Sequence, residues 1–145
     1  MRLALYTDYA LRTLLYLAMH PGRGSVAKVA EFFHISKDHV AKVVQALAKL
    51  KYVRSVRGVG GGIELLQRPA DIRVGQVILD FEGSMNLLEC ISVQNVCTIQ
   101  PNCRLRSVLA QAEKLQMDYL KSVRLSELLP GGDKLLTIGT IEIEL

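Results

Sequence analysis

Hydrophobic residues recur at helical spacing in three successive stretches near the start of the chain. The pattern predicts helices over residues 8–19 and 26–33, and a third helix that begins after Ser36 and runs to Leu50. Residues suited to cap a helix N-terminus stand just before the three stretches: Thr7, Ser25 and Ser36. Only a short break separates the second helix from the third. This arrangement is typical of a helix-turn-helix.

Two short stretches of alternating, β-branched residues follow, at 52–56 and 63–66, and they predict two strands. The loop between them combines Arg57 with several glycines, which allow tight turns and close backbone approach. No GK[ST] follows these glycines, so they are not a nucleotide phosphate loop. The predicted fold is mainly α with a small β-hairpin, that is, a winged helix-turn-helix.

The third helix carries polar and basic residues outside its apolar stripe, which a solvated helix face would also show. A basic wing directly after a helix-turn-helix favours the alternative, a recognition helix that enters the major groove of DNA. The predicted DNA contacts are Ser36, Lys37, His39, Lys42 and, in the wing, Arg57.

Beyond the wing, an apolar stripe over 74–81 predicts a fourth helix, and another predicts a long helix from 105 to 123. A helix of about 19 residues spans about 28 Å, so part of its stripe is expected to pack on a second copy of the chain. A short turn is expected at 126–129. The predicted organisation is a DNA-binding domain (1–82), a loop with a dimerisation helix (83–130) and a tail of undetermined structure (131–145).

Charge divides between the two halves of the chain. Residues 1–80 hold 12 basic and 6 acidic side chains, whereas residues 81–145 hold 6 and 8, which together give the net charge of +4. The basic half suits a polyanion such as double-stranded DNA.

Other classes of protein do not fit this sequence. No apolar run approaches the length of about 18 residues that spans a bilayer, and no signal-peptide pattern is present, so we expect a cytoplasmic protein without membrane contact. No nucleophile–base set or paired acids appear at usable spacing, so an enzyme is not expected.

Three cysteines, Cys90, Cys97 and Cys103, lie in the non-periodic stretch 83–103. Zinc sites usually show closer cysteine pairs and four protein ligands. Redox-active thiols and incidental cysteines remain open alternatives. Three thiolates in one loop also suit an iron–sulfur cluster, which needs four ligands, mostly cysteine.

Several motifs occur together: YTDYALR at 6–12, RGVGGGIEL at 57–65, IRVGQVILDFEG at 72–83, and the three-cysteine loop before a long helix. In this combination the chain resembles the IscR-like superfamily of bacterial winged-helix regulators, which carry an iron–sulfur cluster. It is most similar to the nitric-oxide-sensing repressors of the NsrR type. The resemblance covers roughly residues 1–130.

The resemblance implies that the three cysteines bind the cluster. In the IscR type a histidine three residues after the last cysteine completes the ligand set, but Arg106 stands there. In the NsrR type an aspartate from the other subunit completes a [4Fe–4S] site, and Asp8 stands at that position. Asp8 also suits the N-terminus of a helix. A [4Fe–4S] cluster is therefore expected over a [2Fe–2S] cluster.

The function that this resemblance implies is a homodimeric repressor on a palindromic operator, released from DNA when nitric oxide nitrosylates its cluster. Arg12 is expected to pair with Glu82 as a possible signal relay, although an ordinary surface salt bridge would look the same. The alternative function is an iron- or redox-sensing winged-helix regulator with a different type of cluster.

Overall fold

A computed structural model describes residues 2–83 and 86–131 of the 145-residue chain. These residues form six α-helices, two strands and two 3₁₀ turns: α1 (Leu5–Met19), α2 (Val26–Phe33), α3 (Lys37–Lys49), β1 (Val53–Val56), β2 (Gly62–Leu65), α4 (Val74–Glu82), α5 (Glu89–Ser92), the turn Gln100–Asn102, α6 (Arg104–Ser122) and the turn Leu125–Leu128. The predicted mainly helical fold with one hairpin is confirmed. The predicted tail, 131–145, lies outside the described residues except for Gly131.

The core lies between α1, α2, α3 and the base of the hairpin. Its fully buried side chains come from the apolar stripes of the three helices and include Leu14, Val29, Val40 and Leu47. Leu125 joins the same core from the turn after α6 and is 1% exposed. The end of the chain's described part is therefore anchored on the half that holds α1–α3 and the hairpin.

The first helix begins three residues earlier than the sequence predicts. Thr7 was expected to cap it, but Thr7 is buried inside the first turn and the N-cap is Ala4. The carboxylate of Glu82, at the end of α4, accepts hydrogen bonds from the Ala4 amide and the Thr7 hydroxyl. A carboxylate favours the positive end of a helix, so a residue distant in sequence replaces the local cap. The cap at Ser25 is confirmed, since its hydroxyl accepts from the Lys28 amide at 3.2 Å.

The two strands form the predicted antiparallel hairpin, with Val53 opposite Leu65 and Val56 opposite Gly62. Gly24 adds a short third pairing to Ile63. This pairing requires a glycine at position 62, since a Cβ there would lie 2.3 Å from the carbonyl oxygen of Gly24. The base of the wing is thereby tied to the segment between α1 and α2.

Helices α4 and α6 cross in close contact. A Cβ on Gly75 would lie 2.5 Å from the backbone nitrogen of Lys121, so the backbones meet at this point. The opposite face of α6 is unpartnered in the single chain. Its apolar side chains are more than half exposed there: Leu105, Val108, Leu115 and Tyr119. Within the described residues, no helix is both long and apolar enough to cross a membrane.

Candidate functional site

The predicted recognition surface lies at the outer face of α3. Ser36, Lys37, His39 and Lys42 are all exposed, while the apolar stripe of the same helix is buried. Ser36 is the N-cap residue, although its hydroxyl caps no amide. The Tyr6 hydroxyl donates to the Lys42 carbonyl at 2.9 Å, so α1 supports the helix from behind. Two lysines and a histidine are thus exposed on one helix.

The wing adds a second exposed basic element beside α3. Arg57 and Val59 lie in the loop between the strands, and Val59 is fully exposed. Arg23, from the segment after α1, donates to the Gly60 carbonyl at 2.7 Å and contacts Glu64 at 3.4 Å. These bonds brace the tip of the wing against the body of the domain.

Glu64 sits between two arginines at the base of the wing. Arg54 donates to its carboxylate from the neighbouring strand, and Arg23 approaches from the other side. The bond from Arg54, with a smaller effect of Arg23, holds the pKa of Glu64 below its usual value. The carboxylate therefore stays charged and offsets part of the positive charge on the wing.

The cysteine loop connects α4 to α6. Cys90 lies on the short helix α5, Cys97 is exposed in the following turns, and Cys103 is the N-cap residue of α6. The Sγ of Cys103 accepts from the Arg106 amide at 3.4 Å. Cysteine binds metals as the thiolate.

The donor set therefore fits an iron–sulfur cluster in its chemistry, with three free thiols on one loop. The three thiols are not arranged as a complete metal site. In the described ranges, no three His, Cys, Asp or Glu side chains come together to hold a metal ion. The single chain thus does not bring the cysteines into one cluster with each other or with Asp8, and their assignment as ligands stays a prediction.

Asp8 is held by a neighbour on its own helix. Arg12, one turn later, donates from Nε at 2.9 Å and approaches the other carboxylate oxygen at 2.9 Å. The predicted pair between Arg12 and Glu82 is not the one observed, because Glu82 is engaged by the start of α1. The link from α4 to α1 therefore exists, but it reaches Thr7 and Ala4. A role of Arg12 and Glu82 in signalling stays a prediction.

A second link between the two halves was missed by the sequence reasoning. The Tyr52 hydroxyl, just before the wing, donates to the Asp80 carboxylate on α4 at 2.6 Å. Burial, followed by this bond to Asp80, raises the pKa of Tyr52 above its usual value. Tyr52 looks like one more alternating apolar residue in the sequence, so nothing local identifies its partner.

Residues within the cysteine loop were also missed. Gln100 is buried, and Arg106 donates to the Ile91 carbonyl at 3.3 Å. Where the IscR type offers a ligand, this chain therefore has a side chain that holds α5 against α6. No periodicity marks either residue in the sequence.

Comparison with known proteins gives a consistent result. Residues 3–131 match the family profile of Rrf2, described as an iron-dependent transcriptional regulator. The chain is 38% identical over 141 residues to the HTH-type transcriptional regulator NsrR of Bacillus subtilis, covering 95% of this chain and 97% of that protein. The protein of the same name from Halalkalibacterium halodurans is 39% identical over 138 residues, covering 93% and 94%.

Solved structures agree on the fold. The structure of CymR, the global cysteine regulator of B. subtilis, superposes with a TM-score of 0.74 at 23% identity, covering 88% of this chain and 95% of that chain. The structure of T. potens IscR gives a TM-score of 0.70 at 26% identity, covering 88% and 85%.

Proposed function

The chain belongs to the Rrf2 family of transcriptional regulators, and from that premise we propose that it is a homodimeric repressor that binds a palindromic operator, holds an iron–sulfur cluster and responds to nitric oxide. Its relatives are DNA-binding regulators of the helix-turn-helix type rather than enzymes, and the chain is not an enzyme.

The observation that carries DNA binding is the exposed basic face of α3 beside the braced wing. Lys37 and Lys42 face outward on a helix whose opposite side is fixed in the core. Arg57 extends this surface along the wing. Lysines at such positions neutralise phosphates, whereas the first turn of the helix reaches base edges.

Replacing Lys42 by Ala should weaken binding to every DNA sequence, because it removes a phosphate contact. The slope of log affinity against log salt should become shallower by about 0.9. The exposed Lys121 on α6 offers a matched control, and Lys121→Ala should leave the slope unchanged. Fluorescence anisotropy across a salt series measures both, and an unchanged slope for Lys42→Ala would show that α3 is not the DNA-contacting helix.

The cysteine loop supports the second part of the proposal. Cys90, Cys97 and Cys103 would hold the cluster, with Asp8 of the partner subunit as fourth ligand. A carboxylate oxygen is a harder and weaker ligand for iron than thiolate. A cluster bound there would supply iron atoms open to attack by nitric oxide. As a ligand, Asp8 would connect the cluster to the start of α1, the helix that supports α3.

Anaerobic reconstitution tests this assignment. The wild-type chain should take up about four iron and four sulfide per monomer, and stoichiometric nitric oxide should bleach its spectrum and lower its DNA affinity. Asp8→Ala should change the spectrum or lower the iron content. An identical cluster in Asp8→Ala would remove Asp8 from the ligand set.

A second candidate function is sensing of iron or redox state through a cluster of another type. The description of the matching family as iron-dependent favours it. A stable two-iron cluster that withstands nitric oxide would support this candidate and overturn nitric-oxide sensing.

A further inference from the structure

We propose that Gln100 is a positioning residue of the cysteine loop, which fixes the backbone around all three cysteines before any cofactor binds. The inference rests on the proposed function in one respect, namely that these cysteines are ligands. The ordering of the loop itself is a property of the chain without cofactor.

The loop around Gln100 shows an inverted pattern of burial. Gln100 is only 5% exposed, while the apolar side chain of Ile99 beside it is 65% exposed. Val93 and Val96 are each 43% exposed. Glutamine is seldom buried unless its polar atoms are satisfied, because an unpaired amide loses its bonds to water. The loop therefore folds around this amide rather than around an apolar side chain.

The side chain of Gln100 makes three hydrogen bonds to the loop backbone. Its Nε2 donates to the Cys90 carbonyl at 2.8 Å and to the Val93 carbonyl at 2.6 Å. Its Oε1 accepts from the Val96 amide at 3.2 Å. Both amide hydrogens and the amide oxygen are thus used. The bonds span the end of α5 and the turn that leads to Cys97.

The main chain of Gln100 reaches the other two cysteines. Its N–H donates to the Cys97 carbonyl at 3.1 Å, and its carbonyl accepts from the Cys103 amide at 3.4 Å. Gln100 consequently contacts the backbone of Cys90, Cys97 and Cys103. Such an arrangement lowers the conformational freedom of the loop backbone at each of the three cysteines.

The chemistry of the amide makes the role specific. Glutamate has nearly the same shape, but its carboxylate would place an oxygen against the carbonyls of Cys90 and Val93. Methionine has similar length and no hydrogen-bonding amide. Gln100→Met therefore removes all three bonds with little change in volume, whereas Gln100→Glu removes the two that Nε2 donates and keeps an oxygen that can accept from the Val96 amide. Gln94, exposed in the same loop, provides the control Gln94→Met.

The experiment uses the full-length chain, first without cofactor under anaerobic, reducing conditions. Hydrogen exchange reports on the Val96 amide, and maleimide labelling followed by mass spectrometry reports on the half-buried Cys90. Both rates should rise about five- to tenfold in Gln100→Met, as expected for lost hydrogen bonds. In Gln100→Glu the labelling of Cys90 should rise by a similar factor, because the donated bonds to the Cys90 and Val93 carbonyls are lost. Gln94→Met should match wild type, and exchange of the core amides of α1 and α3 should be unchanged in all variants.

The same variants are then reconstituted with iron and sulfide, and the rate of iron removal by a chelator is measured. We expect removal to be about fivefold faster from both Gln100 variants than from Gln94→Met. Unchanged Val96 exchange and Cys90 labelling would overturn the proposal, as would equal rates of iron removal. If the wild-type chain takes up no iron, the proposed cluster function fails, while the measurements without cofactor still decide whether Gln100 orders the loop.

Discussion

At the scale of single residues, the hydroxyl of Tyr52 joins the base of the wing to the helix that leads into the cysteine loop. Tyr52 is 5% exposed, and its partner Asp80 lies on α4. Because burial and Asp80 both disfavour the phenolate, the pKa of Tyr52 is raised in the folded chain. The hydrogen bond is therefore present throughout the neutral range.

Replacing Tyr52 by Phe should reduce the free energy of unfolding by about 1 kcal/mol at pH 8, because Asp80 loses its donor. Above about pH 10 the unfolded chain releases the Tyr52 proton while the folded chain keeps it, so the wild type loses stability as pH rises. The difference between wild type and Tyr52→Phe should consequently approach zero near about pH 10.5. Urea unfolding at both pH values measures it, and a constant difference would contradict the raised pKa.

The residues that the sequence could identify are those whose surroundings are local. Ser25 caps its own helix, as the sequence predicts. Arg12 was predicted to pair with Glu82, but it pairs with Asp8 one helical turn away, a local contact that the sequence reasoning missed. Thr7 looked like a cap for the same local reason, but its partner is Glu82, brought to it by folding. Gln100 has no local signature at all, since its partners are backbone groups of an irregular loop.

At the scale of elements, the contact between α4 and α6 depends on the missing side chain of Gly75. Substitution by Ala would place a Cβ 2.5 Å from one backbone atom of α6 and 2.7 Å from another. In an open helix the same change would be favourable by up to about 1 kcal/mol. In this protein α4 and α6 would have to separate to admit the Cβ, so the substitution is expected to destabilise the fold instead.

We expect Gly75→Ala to lower the free energy of unfolding by about 1–3 kcal/mol, a typical cost of overpacking. The neighbouring Gln76 is exposed, and Gln76→Ala should stay within about 0.5 kcal/mol of wild type. Urea denaturation of the three proteins tests this, and a stabilised Gly75→Ala variant would show that the two backbones do not meet.

Strongly periodic elements were the ones that the sequence predicted well. Helix α2 spans the predicted residues, and α3 begins directly after its predicted cap. Helix α5 was not predicted, because four residues are too few to show a period. The cysteine loop could be located from its composition, but the bonds of Gln100 within it and of Arg106 across it follow no pattern in the sequence.

At the scale of the whole molecule, the exposed apolar face of α6 suggests a second copy of the chain. Leu115 is 63% exposed and Tyr119 is 58% exposed, and both lie on the same face of the helix as Leu105 and Val108. Large apolar side chains in such a row commonly mark an interface between proteins. The length of the helix leads to the same prediction from the sequence, and the second copy stays a prediction.

Leu115→Asp should therefore convert a dimer into a monomer, because a charge would have to be buried in the contact. Sedimentation equilibrium should give twice the 16.1 kDa of one chain for the wild type and a single chain mass for the variant. Ser107→Asp adds the same charge at an exposed position outside the row and should leave the dimer intact. A monomeric wild type would show that this face of α6 does not hold a second copy of the chain.

The crossing at Gly75 also lies far along α6 from the cysteine loop. The helix α6 touches α4 near its last turn, whereas its first turn carries Cys103. From Leu120 back to Arg104 the helix rises about 24 Å. A rotation of about 5° at the crossing would accordingly displace the first turn by about 2 Å, as a long arm does about a short pivot. A rotation too small to disturb the packing at Gly75 therefore moves the backbone near Cys103 by a large distance. Conversely, a small force applied near Cys103 exerts a large torque at the crossing.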